Sequence, residues 1–347
     1  MRQNKSIELK RVLCVGMLVL LTGGMIIGSA LKGAANYVPL LETGSVMAQE
    51  EPDGRITRVE EPEDSRQVIT VSFVGNCLVG SMLGSSAYGT FNEAIESEGV
   101  GYFLSGALPV LGADDWTIAA LSSVFSDNSF SPVEKDENDR TWYLSSSKGA
   151  EVLSSGSIDV VSLATDHTHD YGPEGYADTI AALEKAGVRW GDDENAVYLE
   201  KHGIRIGVYT CTLEEEETDL PRILDWVKTA SRSCDLTVVY PHGHMGKEAA
   251  DEALLSVYGS MIDAGADMVL AAHSTKMEEP VSYGSGVIVP SLGSFLSGDT
   301  RFPELETGVF QIKLLCTGER IESWEWEVIP FLAYMEPWQP IPDPAGT

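Results

Sequence analysis

Residues 158–172 read IDVVSLATDHTHDYG, a short apolar run followed at once by two histidines and two aspartates. Val, Ile and Leu dominate Ile158–Ala164, which predicts a β-strand. Pro173 and Gly187 then bracket a helical pattern, at the positions that proline and glycine favour at the start and end of a helix. The stretch therefore predicts a strand, a polar turn and a helix, which is the repeating unit of an α/β fold.

The same unit recurs along most of the chain. Further strands are predicted at Val68–Val74, Trp116–Leu121, Ile204–Thr210, Leu236–Tyr240 and Met268–Ala272. Further helices are predicted at Phe91–Ser97, Lys148–Ser154, Glu174–Ala186, Leu220–Ser231 and Lys247–Ala264. The remainder is β-rich, with strands predicted at Val281–Tyr283, Val287–Val289, Gly308–Leu315 and Trp324–Ile329. These patterns imply a central sheet covered by helices, with a second sheet or an extension of the first.

Charge is distributed unevenly along the 347 residues, whose formal net charge is −30. Residues 49–347 hold 18 basic and 51 acidic residues, a net charge of −33. Binding to nucleic acid is excluded, because neutralising phosphates requires clustered Lys and Arg. The 43% hydrophobic content of the chain indicates a folded body rather than a disordered one.

The N-terminus predicts contact with the cell membrane. Val12–Leu31 contains no charged residue, and 20 helical residues span about 30 Å, which is enough to cross a bilayer. Basic residues precede this run, so we expect the N-terminal end to stay in the cytoplasm and the body to lie outside the cell. The segment is either an uncleaved single-pass anchor or a signal peptide that is removed, leaving a secreted protein.

The sequence divides into four parts. Residues 1–48 form the cytoplasmic tip, the apolar segment and its flank, and residues 49–67 form an acidic linker. Residues 68–329 form the main domain, and residues 330–347 read as a Pro-rich extended tail packed by Trp338. Four cysteines lie in the body without zinc-binding spacing, and the sequence does not decide between free thiols and disulfides.

Histidines collect at the ends of predicted strands. Of the six in the chain, five follow strands, and only His202 lies elsewhere, in a predicted hairpin. Ligand sites in α/β sheets form beyond the carboxyl ends of strands. Imidazole serves both as a metal ligand and as an acid or base near neutral pH. Together with Asp166 and Asp170, the clustered histidines predict a site for a divalent ion or for acid–base chemistry, and the alternative is that they only cap strand ends.

Several of these turns resemble, in their order along the chain and in their residue pattern, the motifs of the bacterial capsule-synthesis CapA family. The domain of that family resembles calcineurin-like metallophosphatases. The resemblance runs from about Val68 to Leu296. The matching phrases are Phe73-Val74-Gly75-Asn76, Ala120-Leu121-Ser122, Ala164-Thr165-Asp166-His167 with Asp170-Tyr171-Gly172, His244-Met245-Gly246-Lys247-Glu248, Ala271-Ala272-His273-Ser274-Thr275 and Ser291-Leu292-Gly293-Ser294-Phe295. The resemblance implies an α/β fold of the metallophosphatase type, a β-sandwich flanked by helices.

The resemblance also implies a two-metal site, from which this chain departs. The first carboxylate of the family pattern is the amide Asn76, and the Asn and Glu of the second motif are Ala120 and Ser122. An amide ligates hard cations without contributing charge, and alanine cannot ligate at all. The remaining candidates hold at most one divalent metal ion. They are Asn76, Asp166, His242, His244 and His273, with the choice between His242 and His244 left open.

Two functions follow from the resemblance. The first is a membrane-anchored extracellular protein of capsule, poly-γ-glutamate or other envelope-polymer biosynthesis. It would be a degenerate member of the family, non-catalytic or with a single metal, that acts as a binding or scaffold module. Its expected partners are the membrane, the polymer and polymer-export proteins. The alternative is an active metal-dependent hydrolase or transferase on an amide or phosphoester bond. In that case His167 would donate a proton and Asp166 would act as ligand or base.

Overall fold

The computed structural model describes residues 48–50, 56–58, 66–85, 89–135, 140–214, 216–243, 252–272, 276–298, 304–334 and 338–344. The predicted membrane segment Val12–Leu31 lies outside these residues. Within them, no helix combines the length and apolarity that crossing a bilayer requires. The chain separates into two units, Met1–Glu61 and Pro62–Thr347.

In chain order the strands are β1 (Ala48–Glu50), β2 (Ile56–Arg58), β3 (Arg66–Leu78), β4 (Ser81–Met82), β5 (Trp116–Leu121), β6 (Val124–Phe125), β7 (Tyr143–Ser145), β8 (Val160–Ser162), β9 (Arg189–Gly191), β10 (Val197–Lys201), β11 (Ile204–Thr212), β12 (Leu236–His242), β13 (Met268–Leu270), β14 (Val281–Tyr283), β15 (Gly286–Val289), β16 (Ser294–Ser297), β17 (Glu304–Thr317), β18 (Arg320–Tyr334) and β19 (Gln339–Pro342). The helices are α1 (Phe91–Glu98), α2 (Leu108–Leu111), α3 (Lys148–Ser155), α4 (Gly172–Ala186), α5 (Glu216–Ala230) and α6 (Glu252–Asp263). In the first unit, β1 and β2 pair antiparallel, and all their residues except Ala48 lie in the segment predicted as a linker.

The second unit contains two large sheets. Sheet I has the order β19-β18-β17-β3-β5-β8-β9, with β16 also paired to β3. Sheet II has the order β10-β11-β12-β13-β15-β14. The central strands of each sheet run parallel, whereas the β17–β18 hairpin of sheet I and the edge strands of sheet II are antiparallel. A small third sheet, β4-β7-β6, lies outside both and was not predicted.

Sheets I and II pack face to face. One apolar cluster joins buried residues of both, including Val71 and Phe73 of sheet I and Val238 and Leu270 of sheet II. The outer face of sheet I packs against α1 to α4, and the outer face of sheet II against α5 and α6. The predicted mixed α/β architecture of sheets and helices is confirmed, and it fits a calcineurin-like domain.

Local sequence sets the helix that follows the histidine-containing turn. Helix α4 carries Pro173 in its first turn, where the missing amide hydrogen is not needed. The helix ends at Gly187, which adopts the left-handed conformation with φ 77° that glycine tolerates best. By contrast, α5 begins before the predicted start at Leu220, so that Pro221 lies inside it rather than at its first position.

The C-terminal segment differs from the predicted tail. Strand β18 continues to Tyr334, and β19 pairs with it antiparallel at the edge of sheet I. Prolines are tolerated in an edge strand, because one side of the strand needs no amide donors. Trp338 is buried, with its ring centroid 6.2 Å from that of Phe91. The described part of residues 330–347 is therefore integrated into the sheet.

Candidate functional site

The carboxyl ends of the central strands form the candidate site. Strands β3, β5 and β8 are parallel neighbours in sheet I, so their carboxyl ends share one edge. Strand β12 of sheet II ends at His242. The structure brings this histidine to Asp166, which follows β8, with 3.1 Å between Nε2 and Oδ1. The two sheets thus meet at this edge.

Asp166 and His242 differ in their access to solvent. The side chain of His242 is 2% exposed, whereas that of Asp166 is 38% exposed. One carboxylate oxygen of Asp166 contacts His242, and the other lies 3.8 Å from Nε2 of His167. Asp166 therefore lies between two imidazoles, and its side chain is the most exposed of the three.

His167 is fixed in a pocket of polar and aromatic groups. Its Nδ1 lies 3.0 Å from Oδ2 of Asp170, three residues later in the same turn. The ring of Tyr143 approaches it edge-on, with the ring centroids 4.7 Å apart. Only 12% of the His167 side chain is exposed, so its contacts with protein groups determine its orientation.

Asp170 anchors this turn to the segment that precedes β7. The carboxylate is completely buried and accepts a hydrogen bond from the Tyr143 amide at 2.8 Å. Its backbone carbonyl accepts one from the Val133 amide at 2.9 Å. Its second carboxylate oxygen lies 2.5 Å from Nζ of Lys135, whose side chain is 11% exposed. Nothing in the local sequence pattern singled out Lys135, which lies in a polar stretch without strand or helix periodicity.

The end of β3 carries an uncharged hydrogen-bonded pair of side chains. The hydroxyl of Ser122 donates to Oδ1 of Asn76 at 2.6 Å. The backbone N–H of Asn76 donates to the carbonyl of Gly293 at 2.8 Å, which links β3 to the Ser291–Phe295 turn. Beside it, Gly75 permits a close approach, since a Cβ at this position would lie 1.9 Å from the Gly293 oxygen.

Burial excludes Cys77 as a nucleophile at this edge. Cys77 follows Asn76 and is fully buried. Desolvation raises the pKa of its thiol to about 12, although a backbone hydrogen bond at Leu296 opposes the shift. The thiol therefore stays protonated at neutral pH, whereas the thiolate is the reactive form.

The remaining histidines divide into those the structure describes and those it does not. His244 and His273 lie outside the described residues. The ring of His169 stacks on Tyr176 at 4.5 Å, and the Tyr176 hydroxyl donates to Asp192 at 2.7 Å. His202 lies in the β10–β11 hairpin with φ 54°, as predicted and away from the candidate site.

The described residues at this edge do not by themselves supply the donors of a two-metal centre. Among the described residues, no group of three or more His, Cys, Asp and Glu side chains is arranged to hold a metal ion. Asp166 and His242 supply two suitable donor atoms in contact. Asn76 offers an uncharged oxygen that already accepts from Ser122. Ser122 itself cannot bridge two cations, because a hydroxyl lacks the charge that screens their repulsion.

Comparison with known proteins assigns the chain to a family. The family described as bacterial capsule synthesis protein PGA_cap matches residues 70–299, which is more than half of the chain. The chain therefore belongs to the bacterial capsule synthesis protein family.

Two relatives carry the name CapA. Similarity to the capsule biosynthesis protein CapA of Bacillus anthracis is 26% identity over 267 residues, 66% of this chain and 59% of that protein. Similarity to the PGA biosynthesis protein CapA of Bacillus subtilis (strain 168) is 24% identity over 283 residues, 73% of this chain and 70% of that protein. The matched region therefore covers less than two thirds of the length of the B. anthracis protein.

One solved structure, that of a hypothetical protein from Thermus thermophilus, covers 76% of this chain and 99% of its own. Its sequence identity is 14% and its TM-score is 0.45, which is too low to support an inference.

Proposed function

We propose that this protein is a binding or scaffold module of capsule or poly-γ-glutamate biosynthesis, held outside the cell by its N-terminal segment, with a site that has lost the family's two-metal chemistry. Membership of the capsule synthesis family supports the biological setting. The names of the two CapA relatives support a role with an envelope polymer. The proposed loss of catalysis is inferred from the side chains of the candidate site.

The hydrogen bond between Ser122 and Asn76 is the observation that carries the proposal. The resemblance places a carboxylate at each of these positions, and both are neutral here. The Ser122 hydroxyl and the Asn76 Oδ1 form a hydrogen bond of 2.6 Å with each other. Neither polar atom therefore needs a bound cation as its partner. Replacing two anionic ligands with this pair removes the charge that would hold two divalent ions close together.

The Asp166–His242 pair supports a single remaining cation site. A carboxylate oxygen and an imidazole nitrogen are suitable ligands for a first-row divalent ion. They are held 3.1 Å apart by strand β12 and the turn after β8. We propose that this pair, with help from the predicted ligand His273 or His244, binds at most one ion.

The charge of the body restricts how a polyanion would be held. Residues 49–347 carry a net charge of −33, which repels an anionic polymer, although salt screens the repulsion beyond about 8 Å. The positive charge of Lys276 is already offset by Glu306, whose carboxylate lies 2.8 Å from the lysine nitrogen on the surface. A divalent ion at Asp166 would supply positive charge where the polymer is bound. Polymer binding is therefore expected to depend on divalent cations.

The alternative is an active hydrolase or transferase on an amide or phosphoester bond. The contact between His167 and Asp170 favours it, because an imidazole oriented by a carboxylate is the usual arrangement for acid–base work. Asp166 lies close enough to His167 to contribute to the same chemistry. This hypothesis predicts turnover, which the scaffold hypothesis does not.

Metal and polymer binding by the purified full-length protein test the proposal. We expect no more than one equivalent of Mn²⁺ or Zn²⁺ by elemental analysis, and less in the Asp166→Asn/His242→Gln double variant. Poly-γ-glutamate should sediment with the parent in the presence of the ion and dissociate when the ion is chelated. No hydrolysis of phosphoester or γ-glutamyl amide substrates is expected.

The matched control changes the same residue types away from the site. Asp263 and His202 are both exposed, so Asp263→Asn/His202→Gln should retain the parent's metal content. Two metal equivalents, or turnover that the Asp166→Asn/His242→Gln variant loses, would overturn the scaffold hypothesis in favour of the alternative. Failure to bind poly-γ-glutamate with or without the ion would overturn polymer binding.

A further inference from the structure

Residues 192–196, here called the sheet link, connect the two large sheets beside the candidate site. Strand β9, at one edge of sheet I, ends at Gly191, and strand β10, at one edge of sheet II, begins at Val197. Strands β8 and β9 run parallel, so the sheet link starts at the same edge as the turn that carries Asp166. Its first two residues are the aspartates Asp192 and Asp193, and each of them is bound to a different sheet.

Asp192 fixes the start of the sheet link to the turn after β8. Its Oδ2 accepts a hydrogen bond from the hydroxyl of Tyr176, in α4, at 2.7 Å. The ring of Tyr176 stacks on His169, with 4.5 Å between the ring centroids and 24° between the planes. His169 follows Asp166 by three residues in the same turn. The sheet link is therefore attached to the turn that presents Asp166.

Asp193 fixes the same link to the end of β11. Its Oδ1 accepts hydrogen bonds from the backbone N–H of Thr212 at 2.8 Å, from the Thr212 hydroxyl at 3.0 Å and from Nη2 of Arg222 at 2.8 Å. Nη1 of Arg222 donates to the backbone carbonyl of Asp193 at 3.0 Å. The planar guanidinium of Arg222 thus holds both the side chain and the backbone of Asp193, and such charge-assisted contacts fix geometry well.

Thr212 is the direct neighbour of His242. They are the last residues of β11 and β12, and they are partners in the parallel pairing of these strands. The backbone N–H of Leu213 also donates to the carbonyl of His242 at 2.8 Å. Paired strands lie about 4.8 Å apart, so a displacement of Thr212 is transmitted to His242. The hydrogen bond from His242 to Asp166 spans 3.1 Å and would be lost at about 3.6 Å, so a small displacement is enough to break it.

We propose that Asp193 and Arg222 are positioning residues that act through Thr212 to hold His242 within reach of Asp166. The sheet link then sets the spacing between the carboxylate and the imidazole of the candidate site. This spacing determines which ions both groups can ligate at once, because ligand geometry distinguishes one ion from another. The statement about ions rests on the proposed function, whereas the statement about the position of His242 does not.

Carbon NMR of the metal-free, full-length protein, labelled with ¹³C in histidine alone, tests the position of His242. The chain has six histidines, and His242→Gln identifies the ring signals of His242. All spectra are recorded at about pH 8.5, where an ordinary imidazole is neutral. Asp166→Ala removes the contact and provides the reference signals of a detached ring. In Asp193→Ala, we expect the His242 signals to shift from the parent positions toward this reference.

Arg222→Met is the milder variant, because Asp193 keeps both of its hydrogen bonds to Thr212. We expect the His242 signals to shift in the same direction and by a smaller amount. His242 signals of Asp193→Ala that stay at the parent positions, or that move away from the reference, would overturn the proposal. The same result for Arg222→Met would overturn the role of Arg222.

The matched control lies at the opposite end of the same strand. Oδ2 of Asp235 accepts from the backbone N–H of Arg205, near the amino end of β11, at 2.8 Å. Asp235→Ala therefore removes the same kind of hydrogen bond from β11, far from His242, and should leave the His242 signals at the parent positions. Equal shifts in Asp193→Ala and Asp235→Ala would show a general disturbance of β11 and would overturn a specific role for Asp193.

Ion affinity provides a second measurement. We expect the dissociation constant for Mn²⁺ to rise about 10-fold in Asp193→Ala and to stay at the parent value in Asp235→Ala, as is typical when a group behind the ligands is removed. Equal affinities in the parent and Asp193→Ala would overturn the effect on ions. A parent that binds no ion would refute the single-cation site of the proposed function, and the NMR comparison would still decide whether Asp193 positions His242.

Discussion

The hydroxyl of Ser122 and the amide oxygen of Asn76 lie 2.6 Å apart, so that two neighbouring strands end in a closed, uncharged hydrogen bond. Ser122 is fully buried, and Asn76 is partly buried. The pair occupies the position where the family resemblance implies two carboxylates, and it explains why the described residues offer so little negative charge to a cation. The excess of acidic residues in the protein therefore does not include these two positions.

Restoring carboxylates at this pair should raise metal binding. The Asn76→Asp/Ser122→Glu double variant adds two anionic ligands at the edge shared with Asp166, so we expect at least one additional equivalent of Mn²⁺ or Zn²⁺ by elemental analysis. The apo double variant should be less stable than the parent, because two buried carboxylates repel each other and lose hydration. Added metal should recover that stability, which is measured by thermal unfolding.

A double variant of equal charge on the surface serves as control. Gln67 and Ser97 are exposed, and Gln67→Glu/Ser97→Asp should leave the metal content at the parent's level. Equal metal content in the parent and in Asn76→Asp/Ser122→Glu would show that these two positions do not determine metal binding.

The contact between Gly75 and Gly293 should not tolerate a side chain. Alanine at position 75 places its Cβ 1.9 Å from a backbone oxygen, which cannot move aside as a flexible side chain can. We expect Gly75→Ala to lower the free energy of unfolding by about 3 kcal/mol or more, as overpacking does. Gly101→Ala, where no atom lies within 4 Å of the added Cβ, should change it by less than about 1 kcal/mol. Similar urea midpoints for the two variants would contradict the contact.

The hydroxyl of Tyr240 joins the two sheets through one hydrogen bond. Tyr240 lies on β12 and donates to the Val74 carbonyl of β3 at 2.6 Å, in the buried interior. Removing the donor breaks this buried hydrogen bond, so Tyr240→Phe should cost about 1–3 kcal/mol of unfolding free energy. Tyr283→Phe, at an exposed hydroxyl, should cost less than about 0.5 kcal/mol in the same urea titration. A smaller loss for Tyr240→Phe than for Tyr283→Phe would contradict this assignment.

Asp114 should make the protein less stable as pH rises. Burial raises the pKa of this carboxyl to about 6, hydrogen bonds from Ser72 and Thr117 oppose the shift, and the nearby charge of Asp159 adds to it. The folded state then holds its proton above the pH at which the unfolded chain loses it, near about 3.9. Stability contributed by this group is present below about pH 4 and is lost as pH rises to about 6.

Asp114→Asn should remove that loss while keeping a hydrogen-bond acceptor for Thr117. Relative to the parent, we expect the variant to gain about 1 kcal/mol at about pH 7, a value reduced for the partial exposure of the carboxyl. No gain is expected at about pH 3.5, below the ordinary pKa of an aspartate, which provides the internal control. Denaturation curves that show the same difference at both pH values would rule out the raised pKa of Asp114.

Apolar runs located the central strands but not all the edges of the fold. Trp116–Leu121 was predicted with the observed bounds, because a buried strand in a parallel sheet is apolar along its whole length. Strand β19 was missed, because Pro340 and Pro342 indicate a break rather than a strand. Only its pairing with β18 at the sheet edge makes these prolines acceptable.

The candidate site was predictable only where it follows strand ends. The placement of Asp166, His167 and His242 after β8 and at the end of β12 led to their selection, and the structure brings Asp166 into contact with both histidines. Lys135 could not be found in this way, because its partner Asp170 lies 35 residues later in the sequence and no local pattern links them. Such contacts are properties of the packed chain.

The contact between Asp166 and His242 has a consequence for the order in which the protein matures. Each sheet supplies one of the two groups, so neither sheet alone contains the site, however well its own strands are formed. Sheet I is completed only by β17, β18 and β19, and the buried side chains Phe310 and Ile312 of β17 enter the layer between the sheets. A chain that has not yet formed these last strands therefore lacks the assembled pair, so the contact between Asp166 and His242 requires nearly the whole length of the domain.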